Sequence, residues 1–433
     1  MSNTINPTVP HPEFPKLARK YDICEDAFEG EVTEYVPKLV NQSEQEYLAY
    51  VSRAAYFNMV ERTITALCGA LTRKPYVLNG YESFPSTEDG NATTFIQENY
   101  RDIMLGARVG ILVDVNEDGS SKLVNYDADD IINWYGNGSK PGDYVVIEQE
   151  ELVPDPKNPF EQVEVCSWRE LYIDDAGFYA VRLWRKSSTK NGGYVSEELE
   201  PMLVGGARLG YIPLWIVTPF DNSWDIYSPP LFTQSTLNIQ WFKQATDLAH
   251  YAHFMALPTF TVVGDLYTYT DDQGNQTKAQ IKMGSTQEAL HLTQGSSASF
   301  TEVSGASFSM LQAEMKNTEE RIFIAGSRLL SSKKGIESAE ALQLRAGSES
   351  AVLDTMVNAF QAAMNGALEL CGQIDNVPTA SIELNRDFTA ASMDPAATKA
   401  LLELFVAGTI TLDQLLSELY AGEVVKEPDS TNQ

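Results

Sequence analysis

Paired cysteines and long apolar runs are both absent from this sequence. Its four cysteines, Cys24, Cys68, Cys166 and Cys371, are scattered and form no C-x-x-C pair, which predicts free buried thiols rather than disulfides or a metal site. No apolar run approaches the roughly 20 residues of a membrane span. The first residues are polar and proline-rich, without an apolar signal core. We therefore expect a protein that stays in the cytoplasm of the cell that makes it and has no membrane partner.

Basic residues are also scarce. The 433-residue chain has 31 Lys and Arg against 60 Asp and Glu, which gives a net charge of −29. This excess argues against tight DNA binding through phosphate neutralisation, but it is compatible with a wall past which DNA slides. Acidity that serves only solubility is the plainer alternative, and charge alone does not decide between them.

Common catalytic motifs are missing as well: there is no G-x-x-x-x-G-K-[ST], no H-E-x-x-H and no G-x-S-x-G. His250 and His253 have the i, i+3 spacing of a metal chelate, but an interhelical histidine pair is the simpler interpretation. Asp127, Asp129 and Asp130 could belong to a metal-dependent nuclease, although an Asp-rich turn explains them as well. We predict that the chain is not an enzyme and holds no cofactor or metal.

The first half of the chain has the pattern of a mixed α/β domain. An extended arm is expected over the first forty residues. The Ser43-x-x-Glu46 capping box then predicts a helix that continues to about Arg73. A helix over 93–105 and a strand over 109–115 follow, and strands at 145–151, 163–173 and 178–186 indicate a substantial sheet. The helix before Arg73 has one apolar face, formed by Val60, Ile64, Leu67 and Leu71.

Long helices dominate the second half. The first follows Pro229-Pro230 and is so poor in charge that it should be covered on most sides. A polar insertion at 259–305, with strand-like pieces at 260–263, 279–283 and 289–292, separates it from a second helix with a heptad stripe. A third helix covers about 338–372, and two short helices close the chain. The stripes of the first two helices, which we predict to pack together, contain Leu237, Trp241, Leu248, Met255, Phe308, Leu311, Met315, Ile322 and Leu329.

Short segments along this order resemble the shorter bacteriophage portal proteins over roughly residues 30 to 425. No one of them is specific by itself, so the resemblance rests on their order. They are Tyr35-Val36-Pro37-Lys38-Leu39, Tyr56-Phe57-Asn58, Arg62-Thr63-Ile64, Leu71-Thr72-Arg73-Lys74-Pro75, Leu237-Asn238-Ile239, Ala256-Leu257-Pro258, Ala339-Glu340-Ala341, Leu384-Asn385, Asp387-Phe388 and Ala407-Gly408-Thr409-Ile410.

The resemblance implies an α+β portal fold: a mixed α/β wing, a long helical stem, a small β clip insertion and a helical C-terminal crown. The implied parts are an N-terminal arm (1–42), the wing (43–228), stem helix 1 (229–257), the clip (258–305), stem helix 2 (306–330), a tunnel loop (331–338), a long helix with a wing return strand (339–390) and the crown with a disordered tail (391–433).

The function implied by the resemblance is a conduit. A homo-oligomeric ring, twelvefold in capsids, would occupy one vertex of the virion and let double-stranded DNA pass during packaging and ejection. Its other partners would be the large terminase subunit, then a neck or adaptor protein, and the major capsid and scaffolding proteins. The implied sites are the tunnel loop, with Ser331, Ser332, Lys333, Lys334 and Gly335 against DNA, and clip contacts for the motor or adaptor at Asp271, Asp272 and Glu288.

Plainer interpretations remain open for each feature. The stem helices could form a hairpin within one chain, the Lys333-Lys334 turn could be a solvated surface turn, and the clip could be a bland insertion. The whole chain could also be another phage neck or minor capsid protein, or an acidic metal-dependent nuclease that uses Asp127, Asp129 and Asp130.

Overall fold

The computed structural model describes residues 5–421 except 88–89, 138–139, 156, 188–192, 201, 256–258, 265–267, 271–273, 275, 279–292, 302–305, 331–338, 389–394 and 407–408. These residues mix helix and sheet, which confirms the predicted α+β class. The helices are α1 (Phe14–Glu29), α2 (Glu44–Val51), α3 (Met59–Leu71), α4 (Ala92–Gly106), α5 (Phe232–Met255), α6 (Ala306–Leu330), α7 (Ala339–Asp375), α8 (Pro395–Val406) and α9 (Leu412–Ala421). The strands are β1 (Val77–Asn79), β2 (Ser86–Thr87), β3 (Val109–Val115), β4 (Ser121–Tyr126), β5 (Ile131–Asn137), β6 (Lys140–Asp155), β7 (Asn158–Ile173), β8 (Tyr179–Lys186), β9 (Tyr194–Glu198), β10 (Leu203–Val204), β11 (Ala207–Arg208), β12 (Leu214–Val217), β13 (Thr259–Val263), β14 (Thr268–Thr270), β15 (Gln276–Lys278), β16 (Ser297–Thr301) and β17 (Ser381–Glu383).

The chain divides into two compact units. Unit 1 comprises Met1–Glu25, Val60–Thr233 and Ala325–Gln433, and unit 2 comprises Asp26–Met59 and Gln234–Ile324. Most of the predicted stem and clip therefore belongs to unit 2. That unit also takes in residues 26–59, which the sequence analysis divided between the arm and the wing.

Two sheets organise unit 1. The larger has five antiparallel strands in the order β5-β6-β7-β8-β9. The smaller has the order β12-β3-β4-β2, in which only the β2–β4 pair is parallel. Helix α7 packs on β12, β3 and β4, and β17, which follows it, pairs with β1. The apolar stripe predicted for α7 is confirmed as core, with at most 6% exposure at Leu353, Met356, Phe360, Met364, Ala367 and Cys371.

In unit 2 the insertion between the long helices forms two small antiparallel pairs. β13 pairs with β16 over five residue pairs, and β14 pairs with β15 over three. The strand predicted at 260–263 is confirmed by β13. The predicted strands at 279–283 and 289–292 lie outside the described residues.

Two predictions about local structure were wrong. The single helix predicted from Ser43 to Arg73 is two helices, α2 and α3, separated by residues 52–58. The extended arm contains a 16-residue helix, α1. Local capping was predicted correctly, because Ser43 and Glu46 form the reciprocal capping box of α2.

A glycine sets the approach of α7 to the smaller sheet. A Cβ on Gly366 would lie 3.1 Å from Cε2 of the Trp215 indole on β12. Gly366→Ala should therefore lower the free energy of unfolding by about 1–2 kcal/mol, since the clash outweighs the gain in helix propensity. Gly69→Ala in α3, where a Cβ would meet nothing within 4 Å, should instead raise it by about 0.5–1 kcal/mol. Urea denaturation of both variants measures these opposite changes in the free energy of unfolding. A Gly366→Ala variant more stable than the parent would contradict the close approach of α7 to β12.

Candidate assembly and channel site

The buried face of α5 in unit 2 is partly polar. Ile239 and Phe242 are 4% exposed, and Asn238 and Thr246 are fully buried beside them. The Thr246 hydroxyl donates to the carbonyl oxygen of Phe242 at 2.9 Å, which satisfies it within the helix. Part of α5 is therefore buried, as expected for a charge-poor helix. Its buried face contains hydrogen-bonded polar side chains as well as apolar ones.

Asn238 holds the segment that precedes α3. Its amide nitrogen donates to the carbonyl oxygen of Phe57 at 3.1 Å, and its amide oxygen accepts from the backbone N–H of Met59 at 2.8 Å. The Tyr56 ring meets Phe242 edge-on, with centroids 5.7 Å apart. These contacts give residues 56–59 tertiary partners in a non-helical conformation, which explains why α2 and α3 are separate helices.

A polar cluster joins α2 and the segment after it to the second half of α5. The Tyr50 hydroxyl donates to the Asp247 carboxylate, and its ring meets the His250 ring edge-on at 4.9 Å. Arg53 lies 3.3 Å from Nδ1 of His250. Burial and the nearby Arg53 charge lower the pKa of His250, so the imidazole is neutral at pH 7. His250 thus has protein partners in its own unit, and His253 is exposed.

Helix α6 buries a narrow stripe within unit 2. Thr318 and Ile322 are at most 1% exposed, and the Phe308 ring stacks on Tyr251 of α5 with centroids 6.1 Å apart. Phe308, Leu311 and Met315 are half-buried beside this stripe, and the other positions from 309 to 324 are exposed. They carry charged residues together with three exposed apolar ones, Met310 (71%), Phe323 (53%) and Ile324 (44%).

The predicted stem residues range from half-buried to buried. On α5, Leu237, Trp241 and Leu248 are half-buried, one step around the helix from the fully buried face. On α6, the half-buried positions are Phe308, Leu311 and Met315, and Ile322 is buried. Met255 and Leu329 lie within the helices, but their side chains lie outside the described set. The predicted tunnel-loop residues Ser331, Ser332, Lys333, Lys334 and Gly335, and the clip residues Asp271, Asp272 and Glu288, lie outside the described residues.

The Asp127–Asp130 cluster belongs to unit 1 and is mostly buried. Asp130 accepts the backbone N–H of Asp127 at 2.9 Å, as in an Asp-rich turn. Burial and the neighbouring Glu25 and Asp22 carboxylates raise the pKa of Asp129 to about 7. Burial also raises the pKa of Asp130 to about 7. Within the described ranges, no group of three or more His, Cys, Asp or Glu could hold a metal ion.

These buried carboxyls should make stability fall as pH rises. Their pKa of about 7 in the folded chain exceeds the ordinary value of 3.8, so the folded state binds more protons between those limits. Asp129→Asn should therefore be more stabilising, relative to the parent, at pH 8 than at pH 5, by about 1–3 kcal/mol. Asp118→Asn is the control, because bonds from Ser120 lower the pKa of Asp118 and its contribution is constant over that range. Denaturant titrations at pH 5 and pH 8 measure the free energy of unfolding. Equal effects of Asp129→Asn at both pH values would contradict the raised pKa of Asp129.

A family model described as a domain of unknown function (DUF4055) matches residues 230–373, from the start of α5 through most of α7. No curated protein matches the chain. A chain in the virion of a native gene transfer agent (GTA) particle is similar at a TM-score of 0.42 and 10% identity, covering 88% of this chain and 90% of that one. A chain in the neck of the native GTA particle, computed with C12 symmetry, gives 0.41 and 10%, covering 83% and 89%.

None of the described helices combines the length and apolar character needed to cross a membrane.

Proposed function

We propose that this chain is the subunit of a phage portal ring, a passive conduit for double-stranded DNA at one vertex of the virion. The proposal combines the sequence resemblance with the order of elements around the stem. A 24-residue helix leads into a small β insertion, a 25-residue helix leads back, and a third helix of 37 residues follows. This is the stem–clip–stem order that the resemblance implies.

The outer surface of α6 is the observation that carries the ring. Met310, Phe323 and Ile324 are exposed on α6, whereas Thr318 and Ile322 are buried within the same unit. Phe323 and Ile324 are neighbours in sequence, and adjacent exposed apolar side chains can bind a protein partner. Neighbouring copies around a ring supply such a partner.

Charge supports a sliding channel rather than a DNA clamp. At a net charge of −29 per chain, about a dozen copies carry on the order of hundreds of formal negative charges. Such a ring repels phosphates and discourages adhesion. We propose that the chain acts without catalysis, docks the terminase motor and then a neck or adaptor protein through the clip, and meets the capsid and scaffolding proteins around its rim.

Imaging and weighing the purified protein test directly whether it forms a ring. Class-averaged electron images should show an annulus with a central hole, and native mass spectrometry should give one discrete mass of about a dozen chains. A chain that stays monomeric under every assembly condition would contradict the proposal. An annulus located away from the vertex where DNA enters would favour another neck or minor capsid protein instead.

Lys333 and Lys334 provide a prediction about DNA. In the proposed tunnel loop, flexible lysines contact passing phosphates transiently while acidic walls prevent tight binding. The double variant Lys333→Ala, Lys334→Ala should form normal rings but package or retain DNA at least about tenfold less well, as expected for the loss of two phosphate contacts per copy. Lys38→Ala, which removes an exposed lysine paired with Glu44, is the control. Normal packaging and retention by the double variant would remove these lysines from the mechanism.

A further inference from the structure

A two-stranded ribbon projects from the larger sheet of unit 1. Strands β6 and β7 pair from Tyr144–Tyr172 out to Asp155–Asn158. β5 pairs with β6 only as far as Ile147, and β8 pairs with β7 only from Ser167 onward. Residues 150–155 and 157–166, here called the acidic ribbon, therefore extend about 20 Å beyond the neighbouring strands. A two-stranded hairpin without further packing is marginally stable, so this one gains from a binding partner.

The side chains of the acidic ribbon indicate what that partner must offer. Phe160 is 97% exposed and Leu152 is 65% exposed, and Val163 and Val165 are close to 40%. The ribbon also has one basic residue, Lys157, and five carboxylates. The carboxylates are Glu150, Glu151, Asp155, Glu161 and Glu164. A partner therefore needs both cations and apolar surface.

Two of these carboxylates are close enough to disturb each other. Hydrogen bonding to the Glu150 carboxyl, together with its charge, raises the pKa of Glu164 on the opposite strand. Like charges across a strand pair oppose each other, and a cation placed between them relieves that repulsion. The geometry thus favours a basic partner over a purely apolar one.

The same unit carries a matching surface at the start of α1. Lys16 and Arg19 are exposed at i, i+3 spacing in its first two turns. Cations are unfavourable at a helix N-terminus, so the helix itself does not benefit from them there. Within the described part of the chain, no carboxylate forms an ion pair with either residue, whereas Arg182 and Arg185 are paired with glutamates. Exposed apolar residues precede them, Ile5 at 65% and Val9 at 53%.

We propose that the acidic ribbon of one copy binds the start of α1, with Lys16 and Arg19, in a neighbouring copy. Within the proposed ring the contact is head-to-tail, with the ribbon of each copy against α1 of the next, and it repeats from copy to copy. The inference rests on the proposed ring and adds to it a contact between two surfaces of unit 1 that uses none of the predicted stem residues. Both surfaces combine charge of one sign with exposed apolar side chains, which gives the contact charge complementarity and apolar burial.

A charge exchange tests this contact in the full-length chain. The ribbon variant Glu161→Lys, Glu164→Lys and the helix variant Lys16→Glu, Arg19→Glu should each reduce the ring fraction about tenfold or more at a fixed concentration. Combining all four substitutions should restore most of it, because the charges are complementary again. Glu82→Lys, Glu117→Lys is the matched control for the ribbon variant, since it raises the net charge by the same amount at exposed sites that belong to neither surface.

Native mass spectrometry gives the ring fraction, and circular dichroism checks that each variant is folded. Rings that persist in both charge-reversed variants, or a combined variant no better than either alone, would overturn the contact while leaving the portal ring intact. A parent chain that never assembles would overturn both proposals. Normal rings that fail only to enter capsids would show that another virion protein binds the ribbon, which also overturns this contact.

Discussion

Arg108→Ala should lower the free energy of unfolding by about 3–5 kcal/mol, because it removes a large buried side chain together with its hydrogen bonds. Arg108 follows α4 and is 1% exposed. One guanidinium nitrogen donates to the carbonyl oxygens of Ala128 at 3.3 Å and Ile131 at 2.9 Å. The guanidinium carbon lies 4.3 Å from the centroid of the Trp134 ring, which also stacks on His11.

The variant Arg108→Met separates packing from charge. Burial lowers the pKa of Arg108 to about 10, so the side chain remains charged at neutral pH. Methionine fills much of the space but supplies neither charge nor donors, so its cost should be smaller, about 1–2 kcal/mol. The exposed Arg386→Ala should change stability by about 0.5 kcal/mol or less. Denaturant titration measures all three, and equal stability of Arg108→Ala and Arg386→Ala would contradict a structural role for Arg108.

Local patterns were the part of the fold that could be predicted from the sequence. The apolar face of α3 and the stripe of α7 follow from helical spacing alone, and both are buried. The capping box of α9 is formed by Thr411 and Gln414, whose side chains and backbone N–H groups bond reciprocally at 3.0 and 3.2 Å. Each of these features depends on residues within one or two helical turns, so no knowledge of the tertiary structure is needed.

Features decided by distant residues were not predictable in this way. Helix α1 was missed because its buried positions are Tyr21, Cys24 and Ala27, which do not form the large aliphatic stripe that indicates a helix. Residues 52–58 leave the helical path because they meet α5, more than 170 positions away. Arg108 resembles any surface arginine in sequence, and only the positions of Trp134 and the two carbonyl groups show that it is buried.

The candidate site also combines features that local spacing predicts with features that depend on distant residues. Heptad spacing on α6 identified Ile322 as a packing residue, and that position is buried. On α5 the aliphatic and aromatic residues suggested a stripe through Leu237, Trp241 and Leu248, whereas the fully buried residues lie one position further around. Asn238 and Thr246 were missed because polar residues are usually assigned to the solvent face. A charge-poor helix with regularly placed Asn and Thr is the pattern that could have indicated a hydrogen-bonded buried face.

Asn238→Leu should lower the free energy of unfolding by about 2–4 kcal/mol. Leucine removes the acceptor of the Met59 backbone N–H and the donor to the Phe57 carbonyl oxygen. Losing these two part-buried hydrogen bonds costs more than the apolar side chain regains. The exposed neighbour Gln240→Leu on the same helix should have an effect of about 0.5 kcal/mol or less.

Hydrogen exchange distinguishes this local mechanism from a general loss of stability. In Asn238→Leu the Met59 amide should exchange faster by more than the change in global stability explains, because its acceptor is gone. Amides of the five-stranded sheet in unit 1 should follow the global change alone. If Met59 keeps its protection, the Asn238 side chain is not what holds residues 57–59, and the separation of α2 from α3 must have another cause. If protection is lost only there, helix α5 is held in unit 2 by a polar contact that its hydrophobic pattern does not reveal.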